Sequence, residues 1–272
     1  MKLSNLTGVL IGSVFLVAAI GFAADNPAAF LNIPGLLIVV GGTLTAIFVS
    51  FPVKEAIKAF KQARVLTEPL ELDLDKDIHR LVEFSKLSFR KQYPQMDQAL
   101  EKLDDRFMQR GLQMVRDHQP YDDTMAMLNW KIGQYRARET NVINIFRSMA
   151  TFAPAFGMVG SLVGLVNMLQ GVDAASLSQM TADMAIALIT TFYGLLFANL
   201  LFKPIATKLE QRRNLKTVQL SLIAEGISLL HQNRTPSAVR DTLYSFWQEQ
   251  QTQEAAPEKA IPLMQKLGVK TV

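Results

Sequence analysis

The sequence predicts an all-α membrane protein with four transmembrane helices, long cytoplasmic helical extensions and a small cytoplasmic helical domain. Three observations lead to this prediction: four long apolar segments, a one-sided distribution of basic residues, and helical spacing of apolar residues between the segments. Of the 272 residues, 49% are hydrophobic and only 19% are charged. Typical soluble domains have about 25% charged residues. The composition therefore argues against a soluble enzyme.

Four apolar segments are long enough to cross a bilayer, which takes about 20 residues. None of them contains Lys, Arg or Glu, and their one acidic residue, Asp183, lies at the outer edge of the fourth. A soluble core helix needs one polar face, so segments of this kind indicate membrane spans. The segments are residues 6–24, 33–53, 148–169 and 182–202.

The basic residues all fall on one side of the predicted membrane. Of the 28 Lys and Arg residues, 17 lie in residues 54–147, 10 lie in residues 203–272, and the last is Lys2. The positive-inside rule then places both termini and the long middle segment in the cytoplasm, with the chain in the inner membrane. A cleavable signal peptide in the first segment is the alternative, but about 19 apolar residues exceed the usual length of such a region.

Residues 54–147 are predicted to form the cytoplasmic helical domain. It lies between residues 1–53, which contain the first two spans, and residues 148–203, which contain the third and fourth. Apolar residues recur at spacings of three and four over residues 73–91 and again over 96–118. Asp122 or Asp123 is predicted to cap a further helix that runs into the third span.

The segment after the fourth span, residues 204–248, is predicted to continue that helix as far as Asn233. Thr235 and Pro236 supply the cap and first residue of another helix, which we expect to reach Trp247. The composition of residues 249–272 predicts a disordered tail.

Several kinds of chemistry are excluded or disfavoured. The chain has no cysteine, and its histidines, His79, His118 and His231, lack the spacing of metal ligands on one helix face. We therefore expect neither a metal site nor a cofactor. The basic pair Arg212-Arg213 lies beside the predicted membrane, which favours contact with lipid headgroups over nucleic acid.

The third span carries residues that favour close helix packing. Gly160 and Gly164 have the GxxxG spacing that lets helix backbones approach each other, and Gly157 lies one turn earlier. Pro154 removes a backbone hydrogen bond near the inner end of the span and is expected to kink the helix.

Hydroxyl groups at membrane depth are the candidate ion-pathway residues: Ser161, Thr190 and Thr191. Each could bond to a carbonyl of its own helix, or together they could line a path for a small cation. Ion-coupled proteins carry their ion on an intramembrane carboxylate, and no span of this chain has one at its centre. Either the chain transports nothing, or a partner helix supplies the acid.

Five stretches of the chain, in order, resemble the A subunit of the bacterial flagellar stator, the MotA/PomA family. The most specific are PAFGMVGSLVGLVNML (154–169) and ALITTFYGLLFANLLFKPIATKLE (187–210). The others are PGLLIVVGGTLTAIFVSFP (34–52), FMQRGLQMVRD (107–117) and AEGISLLHQNRTPSAVRDTL (224–243).

The resemblance implies an ion-conducting, torque-generating subunit that couples sodium or proton flow to rotation. Such A subunits form a pentameric ring around two helices of a B-type subunit. Each B subunit has one transmembrane helix, an essential Asp and a peptidoglycan-binding domain. Torque passes to a switch-complex protein of the rotor.

The resemblance also assigns roles to individual residues. Pro154 and Pro204 match the family's two prolines that couple conformational change, and Thr191 matches its pore threonine. Thr190 and Ser161 occupy positions that carry hydroxyls in sodium-driven members, although Ser161 replaces the usual Thr. These hydroxyls favour sodium as the transported ion, and the proton remains the alternative.

The resemblance places the rotor contact at Arg90, Lys91 and Glu101. Glu101 follows Arg90 by eleven residues rather than the family's usual eight, and the stretch KQYPQMD replaces a glycine-containing turn. A solvated helix face is the alternative interpretation of these charges. For the whole chain, the alternatives are a TolQ/ExbB-like proton-channel subunit that energises outer-membrane processes and a structural membrane scaffold without an ion path.

Overall fold

The structure, a computed structural model, describes residues 30–64, 72–170 and 177–255, together with positions 15, 21 and 22. Within these ranges the chain is helical and contains no strand, so the all-α prediction is confirmed there. The first predicted span, residues 6–24, lies outside the described residues except at those three positions. Residues 256–272 of the predicted tail also lie outside the described residues.

The helices follow one another with short connections. They are α1 (Ile33–Ser50), α2 (Val53–Arg64), α3 (Leu74–Phe89), α4 (Tyr93–Glu101), α5 (Arg106–Arg116), α6 (Tyr121–Gln170), α7 (Leu177–Leu196), a π-helical segment (Phe197–Phe202), α8 (Lys203–His231) and α9 (Pro236–Ala255).

Three described helical stretches are long and apolar enough to cross a membrane: Ile33–Ser50, Tyr121–Gln170 and Met180–His231. They contain the second, third and fourth predicted spans. The second span ends at Ser50 rather than at residue 53, because Phe51 adopts an extended conformation before Pro52. Proline disfavours helical geometry in the residue that precedes it.

The chain divides into two compact units, residues 1–70 with 138–212, and residues 71–137 with 213–272. The divisions at residues 137/138 and 212/213 fall within α6 and α8. In the first unit, Ile47 packs with Ala56 of α2, Phe146 of α6 and Leu209 of α8 in one buried cluster.

Helix α2 has three distinct faces: one buried, one exposed and apolar, and one exposed and basic. Ala56 and Ala59 are buried in the first unit, whereas Val53, Ile57 and Phe60 are exposed along an adjoining face. Its lysines are also exposed, and they are Lys54, Lys58 and Lys61. The apolar exposed face and the basic residues beside it are typical of a helix at a membrane surface.

The second unit is built around a continuous apolar core formed by α3, α4, α5, the first part of α6, the second part of α8, and α9. Two glycines bring its helices close together. A methyl group at Gly111 would overlap Ile227, and one at Gly226 would lie 2.6 Å from a methyl carbon of Leu81. The stretches around residues 111 and 226, quoted above for the family resemblance, therefore pack against each other.

Several predicted helix ends in the second unit are wrong. Residues 96–118 form two helices, because the Asp105 carboxylate caps α5 by accepting bonds from Phe107 and Met108 backbone N–H groups at 2.8 and 3.0 Å. Asp122 and Asp123 lie in the first turn of α6 instead of capping it. Helix α9 begins at Pro236 as predicted but extends to Ala255, into the predicted tail.

Helix α8 ends as predicted beside Asn233. This residue has a positive φ of 54°, a conformation that asparagine tolerates better than most residues. The next backbone N–H, that of Arg234, donates to the carbonyl of Leu229 at 3.1 Å and closes the helix end.

A polar network lies inside the second unit. Asp77 of α3 is only 5% exposed, and its carboxylate accepts a 2.5 Å hydrogen bond from the Gln219 side chain of α8. Lys216 donates to the other side of the Gln219 amide at 2.7 Å. Burial raises the pKa of Asp77, while the Gln219 hydrogen bond opposes that shift.

We expect Asp77→Asn to be at least as stable as the parent protein at neutral pH. Because the pKa of Asp77 is raised in the folded state, its contribution to stability is greatest below 3.8 and is lost as pH rises through the raised pKa. Asparagine keeps the acceptor for Gln219 and avoids a buried charge. Denaturant unfolding followed by fluorescence of Trp247, which packs on this core, measures the difference at each pH.

The matched variants are Gln219→Leu and Asp241→Asn. Gln219→Leu leaves the buried carboxylate without its donor and should cost about 1–3 kcal/mol at neutral pH. Asp241 is exposed and paired with the neighbouring Arg240, so its change should have little effect. A loss of stability in Asp77→Asn at neutral pH would show that the charged carboxylate is needed.

Candidate functional site

The glycines of the third span form the face of α6 that contacts α7. A methyl group at Gly164 would lie 2.7 Å from the carbonyl oxygen of Asp183, and one at Gly160 would lie 2.6 Å from Cβ of Thr190. A methyl group at Gly157 would lie 2.9 Å from the carbonyl oxygen of Thr190. No side chain larger than hydrogen fits at these positions unless the helices separate.

The contact continues at the inner end of the pair, where the glycine belongs to α7. A methyl group at Gly194 would lie 2.6 Å from the Ala153 carbonyl oxygen and 3.0 Å from Cα of Pro154. Pro154 lies inside α6 without ending it. The segment around this proline is therefore held directly against the α7 backbone.

The three candidate hydroxyl groups each bond to their own helix. Thr190 and Thr191 donate to the Ala187 carbonyl at 3.0 and 3.4 Å, and Ser161 donates to the Met158 carbonyl at 2.8 Å. Thr190 is fully buried, whereas Ser161 and Thr191 are half-buried. Within one chain these hydroxyls are locally satisfied, and their predicted role in an ion path stays a prediction.

Helix α1 packs against the same pair of helices through two glycines. A methyl group at Gly35 would lie 3.0 Å from the Thr190 methyl carbon, and one at Gly42 would overlap the ring of Phe156. The methyl-bearing side of Thr190 is thus enclosed by glycines of two helices, Gly35 and Gly160.

Sequence reasoning missed a polar clamp between α1 and α7. The buried Tyr193 hydroxyl donates to the Phe30 carbonyl and accepts from the Asn32 backbone N–H at 2.9 Å. Asn32 also caps α1 by accepting from the Gly35 N–H at 2.8 Å. A tyrosine inside an apolar span requires a partner for its hydroxyl, and that rule was the available signal.

The helix bonding changes just before Pro204. The six residues Phe197–Phe202 are π-helical, and Lys203 donates its N–H to the Ala198 carbonyl, five residues earlier. Pro204 has no N–H to donate, and its ring crowds the carbonyl four residues before it, so a widened turn fits at this position. Both predicted coupling prolines therefore lie where regular α-helical bonding is interrupted.

Comparison with known proteins identifies the family. Residues 99–222 match the model of the MotA/TolQ/ExbB proton channel family. The uncharacterized protein YtxD of Bacillus subtilis is 31% identical, over 90% of this chain and 92% of its own. The chemotaxis protein PomA of Vibrio alginolyticus is 30% identical, over 92% of this chain and 96% of its own.

The chain belongs to the MotA/TolQ/ExbB proton channel family. Within that family it groups with PomA and the motility A proteins, as the resemblance predicted. The flagellar MotAB stator complex from Bacillus subtilis has the same fold, with a TM-score of 0.82 and 23% identity, over 93% of this chain and 99% of that one. The family is described as channels, not as a class of enzymes.

The predicted rotor residues of this family member lie at the two ends of α4. Arg90 follows α3, Lys91 has a positive φ of 54°, and Glu101 is the last residue of α4. All three are exposed, and among the described residues none of them forms an ion pair. Lys91 thus adopts a left-handed backbone conformation at the turn between α3 and α4, and the rotor role of the three residues stays a prediction.

The described residues contain no group of three or more His, Asp or Glu side chains that could hold a metal ion. His118 stacks edge-on against Tyr93, and His231 stacks against Tyr121 and lies 2.7 Å from the Gln119 carbonyl. The structure thus gives each of these two histidines packing contacts in the second unit.

We expect Gly160→Ala to destabilise the protein. The added methyl group would meet Thr190 inside a packed helix pair, and overpacking of this kind costs about 1–3 kcal/mol. Gly41→Ala on α1 is the matched control, since its added methyl group meets nothing within 4 Å. Thermal unfolding of the purified full-length variants in lipid nanodiscs measures both effects, and equal midpoints would contradict the close contact.

Proposed function

We propose that this protein is the ion-conducting, torque-generating A subunit of a flagellar motor stator. It couples the flow of sodium ions or protons to rotation, together with a B-type subunit that has one transmembrane helix and a peptidoglycan-binding domain. The transported ion is its substrate, and the activity requires no cofactor and no nucleic acid. Family membership and similarity to PomA along almost the whole chain support this proposal.

The observation that carries the proposal is the composition of the α6–α7 pair. The pair presents hydroxyls at Ser161, Thr190 and Thr191, yet it has no carboxylate deeper in the span than Asp183. An ion that crosses the membrane needs a charged or strongly polar carrier in the low-dielectric interior. The B subunit supplies that carrier as an aspartate, and the half-buried hydroxyls of Ser161 and Thr191 face the ion as it passes.

An incomplete surface supports assembly into a larger complex. On α6, Met158, Leu162 and Leu169 are exposed in the single chain, as are Met184 and Leu188 on α7. Large apolar surfaces are covered by lipid or by partner chains. In the proposed assembly five copies form a ring around two B-subunit helices, and the exposed α6 and α7 faces meet those helices, neighbouring copies and lipid.

The proposed location is the bacterial inner membrane, with four transmembrane helices and both termini in the cytoplasm. The one-sided distribution of basic residues supports this orientation. Helix α2 then lies along the cytoplasmic surface of the membrane, where Ile57 and Phe60 contact lipid and the exposed lysines contact headgroups. The second unit is cytoplasmic and offers Arg90, Lys91 and Glu101 to the rotor.

A TolQ/ExbB-like role in energising the outer membrane is less well supported. The family model includes those proteins, but the relatives that match nearly the whole chain include PomA and the motility A proteins. Substitutions at Thr191 and Pro154 distinguish the motor subunit from a structural scaffold without an ion path.

Replacement of Thr191 by Ala or of Pro154 by Ala should abolish or strongly reduce swimming in a strain that relies on this subunit. Thr191→Ala removes a pathway hydroxyl, and Pro154→Ala restores a regular backbone bond at the proposed coupling point. Swimming speed and swarm diameter measure the effect, with membrane levels of the protein checked in parallel.

Thr45→Ala is the matched control for those variants. The Thr45 hydroxyl also bonds to a carbonyl of its own helix, that of Gly41 at 2.8 Å, but Thr45 is an exposed residue of α1. Its loss should leave swimming intact. Normal motility in both Thr191→Ala and Pro154→Ala would favour the scaffold.

Sodium is the expected ion, because the half-buried hydroxyls of Ser161 and Thr191 offer hard oxygen ligands of the kind that sodium prefers. Swimming speed should therefore rise with external sodium at a fixed proton motive force. The control replaces sodium with choline at constant ionic strength. A flat response would assign the flow to protons.

A further inference from the structure

Helix α2 starts directly after a helix that can cross the membrane. Only Phe51 and Pro52 separate Ser50, the last residue of α1, from Val53, the first residue of α2. The three residue steps from Ser50 to Val53 span at most about 11 Å. Because α1 is one of the described helices long and apolar enough to cross a membrane, the first turn of α2 is held beside the end of that span.

The buried side of α2 fixes the rotation of the helix about its own axis. Ala56 and Ala59 are fully buried, and they belong to one cluster with Phe146 of α6 and with Ala206 and Leu209 of α8. In the sequence, these partner residues come just before the third predicted span and just after the fourth. Since the alanine side is held against α6 and α8, each of the other sides of α2 points in a definite direction.

The exposed surface of α2 contains an apolar stripe and a basic stripe. Each stripe has three exposed residues at spacings of four and three, which places its members on one side of the helix. The two stripes are offset by one residue, so their directions differ by about 100°. Their members are Val53, Ile57 and Phe60 in the apolar stripe, and Lys54, Lys58 and Lys61 in the basic stripe. Lysines beside an apolar stripe can lay their stems along a membrane surface and extend their charges to the headgroups.

The single acidic residue of α2, Glu55, lies on the side opposite the apolar stripe. It comes two residues before Ile57, so the two side chains leave the helix in directions about 160° apart. Gln62 lies seven residues after Glu55, on the same side, and its amide donates to the Glu139 carboxylate of α6 at 3.3 Å. When the apolar stripe faces a bilayer, the acid therefore points away from it, and the lysines are the charged groups next to the headgroups.

We propose that α2 is a binding surface for anionic phospholipids, such as phosphatidylglycerol, and that it selects them over zwitterionic lipids. The three lysines contact the phosphates, while Ile57 lies among the first carbons of the acyl chains. Each lysine near an anionic membrane surface strengthens association about fivefold, and a headgroup without net charge gives no such gain. This inference rests on the membrane orientation in the proposed function and adds the class of lipid, and it requires neither ion flow nor torque.

The test uses a fluorescent label on α2, which is possible because the chain has no cysteine of its own. Purified full-length Ile57→Cys protein, with any bound partner subunit, carries a bimane label in bilayers of equal parts phosphatidylglycerol and phosphatidylcholine. A small fraction of one lipid carries a nitroxide on its acyl chain, which quenches the label on contact. We expect nitroxide on phosphatidylglycerol to quench about twofold to fivefold more than nitroxide on phosphatidylcholine. High salt should reduce the difference.

Two sets of substitutions show whether the lysines of α2 cause the preference. Glutamine at all three α2 lysines should bring the quenching by the two nitroxide lipids to the same value. The matched control removes the same charge from three exposed lysines of the second unit, and it should leave the preference unchanged. The control lysines are Lys76, Lys86 and Lys102. A label at Glu55→Cys, on the opposite side of α2, should be quenched less than the label at Ile57→Cys by either lipid.

The outcomes separate this inference from the proposed function. Equal quenching of the Ile57→Cys label by both lipids would overturn the selectivity, even in a strain that swims normally. A preference that persists without the α2 lysines, or stronger quenching at Glu55→Cys than at Ile57→Cys, would also overturn the proposed surface. A lysine-dependent preference in a chain that does not support swimming would establish the lipid surface and count against the motor function alone.

Discussion

The approach of the α6 and α7 backbones is the contact on which the membrane part of this protein depends. Lipid supplies no hydrophobic driving force between apolar helices, so close packing has to hold them together. Gly157, Gly160 and Gly164 allow that packing from one helix, and Gly194 allows it from the other. Thr190 is enclosed at the centre of the contact, which holds its neighbour Thr191 at a defined depth along the pair.

Charge imposes the second constraint. The described spans have no basic residue and a single acid, so they form a low-dielectric region with hydroxyls but without a carrier at its centre. Such a region excludes anions and gives cations little stabilisation of their own. In the proposed stator, a carboxylate from a partner helix is the group that makes passage of a cation physically reasonable.

The second unit depends on a different balance, because its core is apolar but contains a buried carboxylate. Gly111 and Gly226 allow α5, α8 and α3 to pack closely, and Asp77 lies among them with Gln219 as its donor. A buried polar pair of this kind adds little net stability. Its geometry joins α3 to α8 at one register, since a shift of either helix would leave the carboxylate without a partner.

The sequence by itself determined the helical class, the second to fourth candidate spans and the family, because apolar length, helical periodicity and motif residues are local properties of a chain. It also located the glycines and hydroxyls of the candidate site. Only the tertiary structure decided which groups those glycines meet, that Thr190 is buried while Ser161 and Thr191 are not, and that Tyr193 clamps α1. Contacts of this kind join residues far apart in the chain, so no spacing or composition could reveal them.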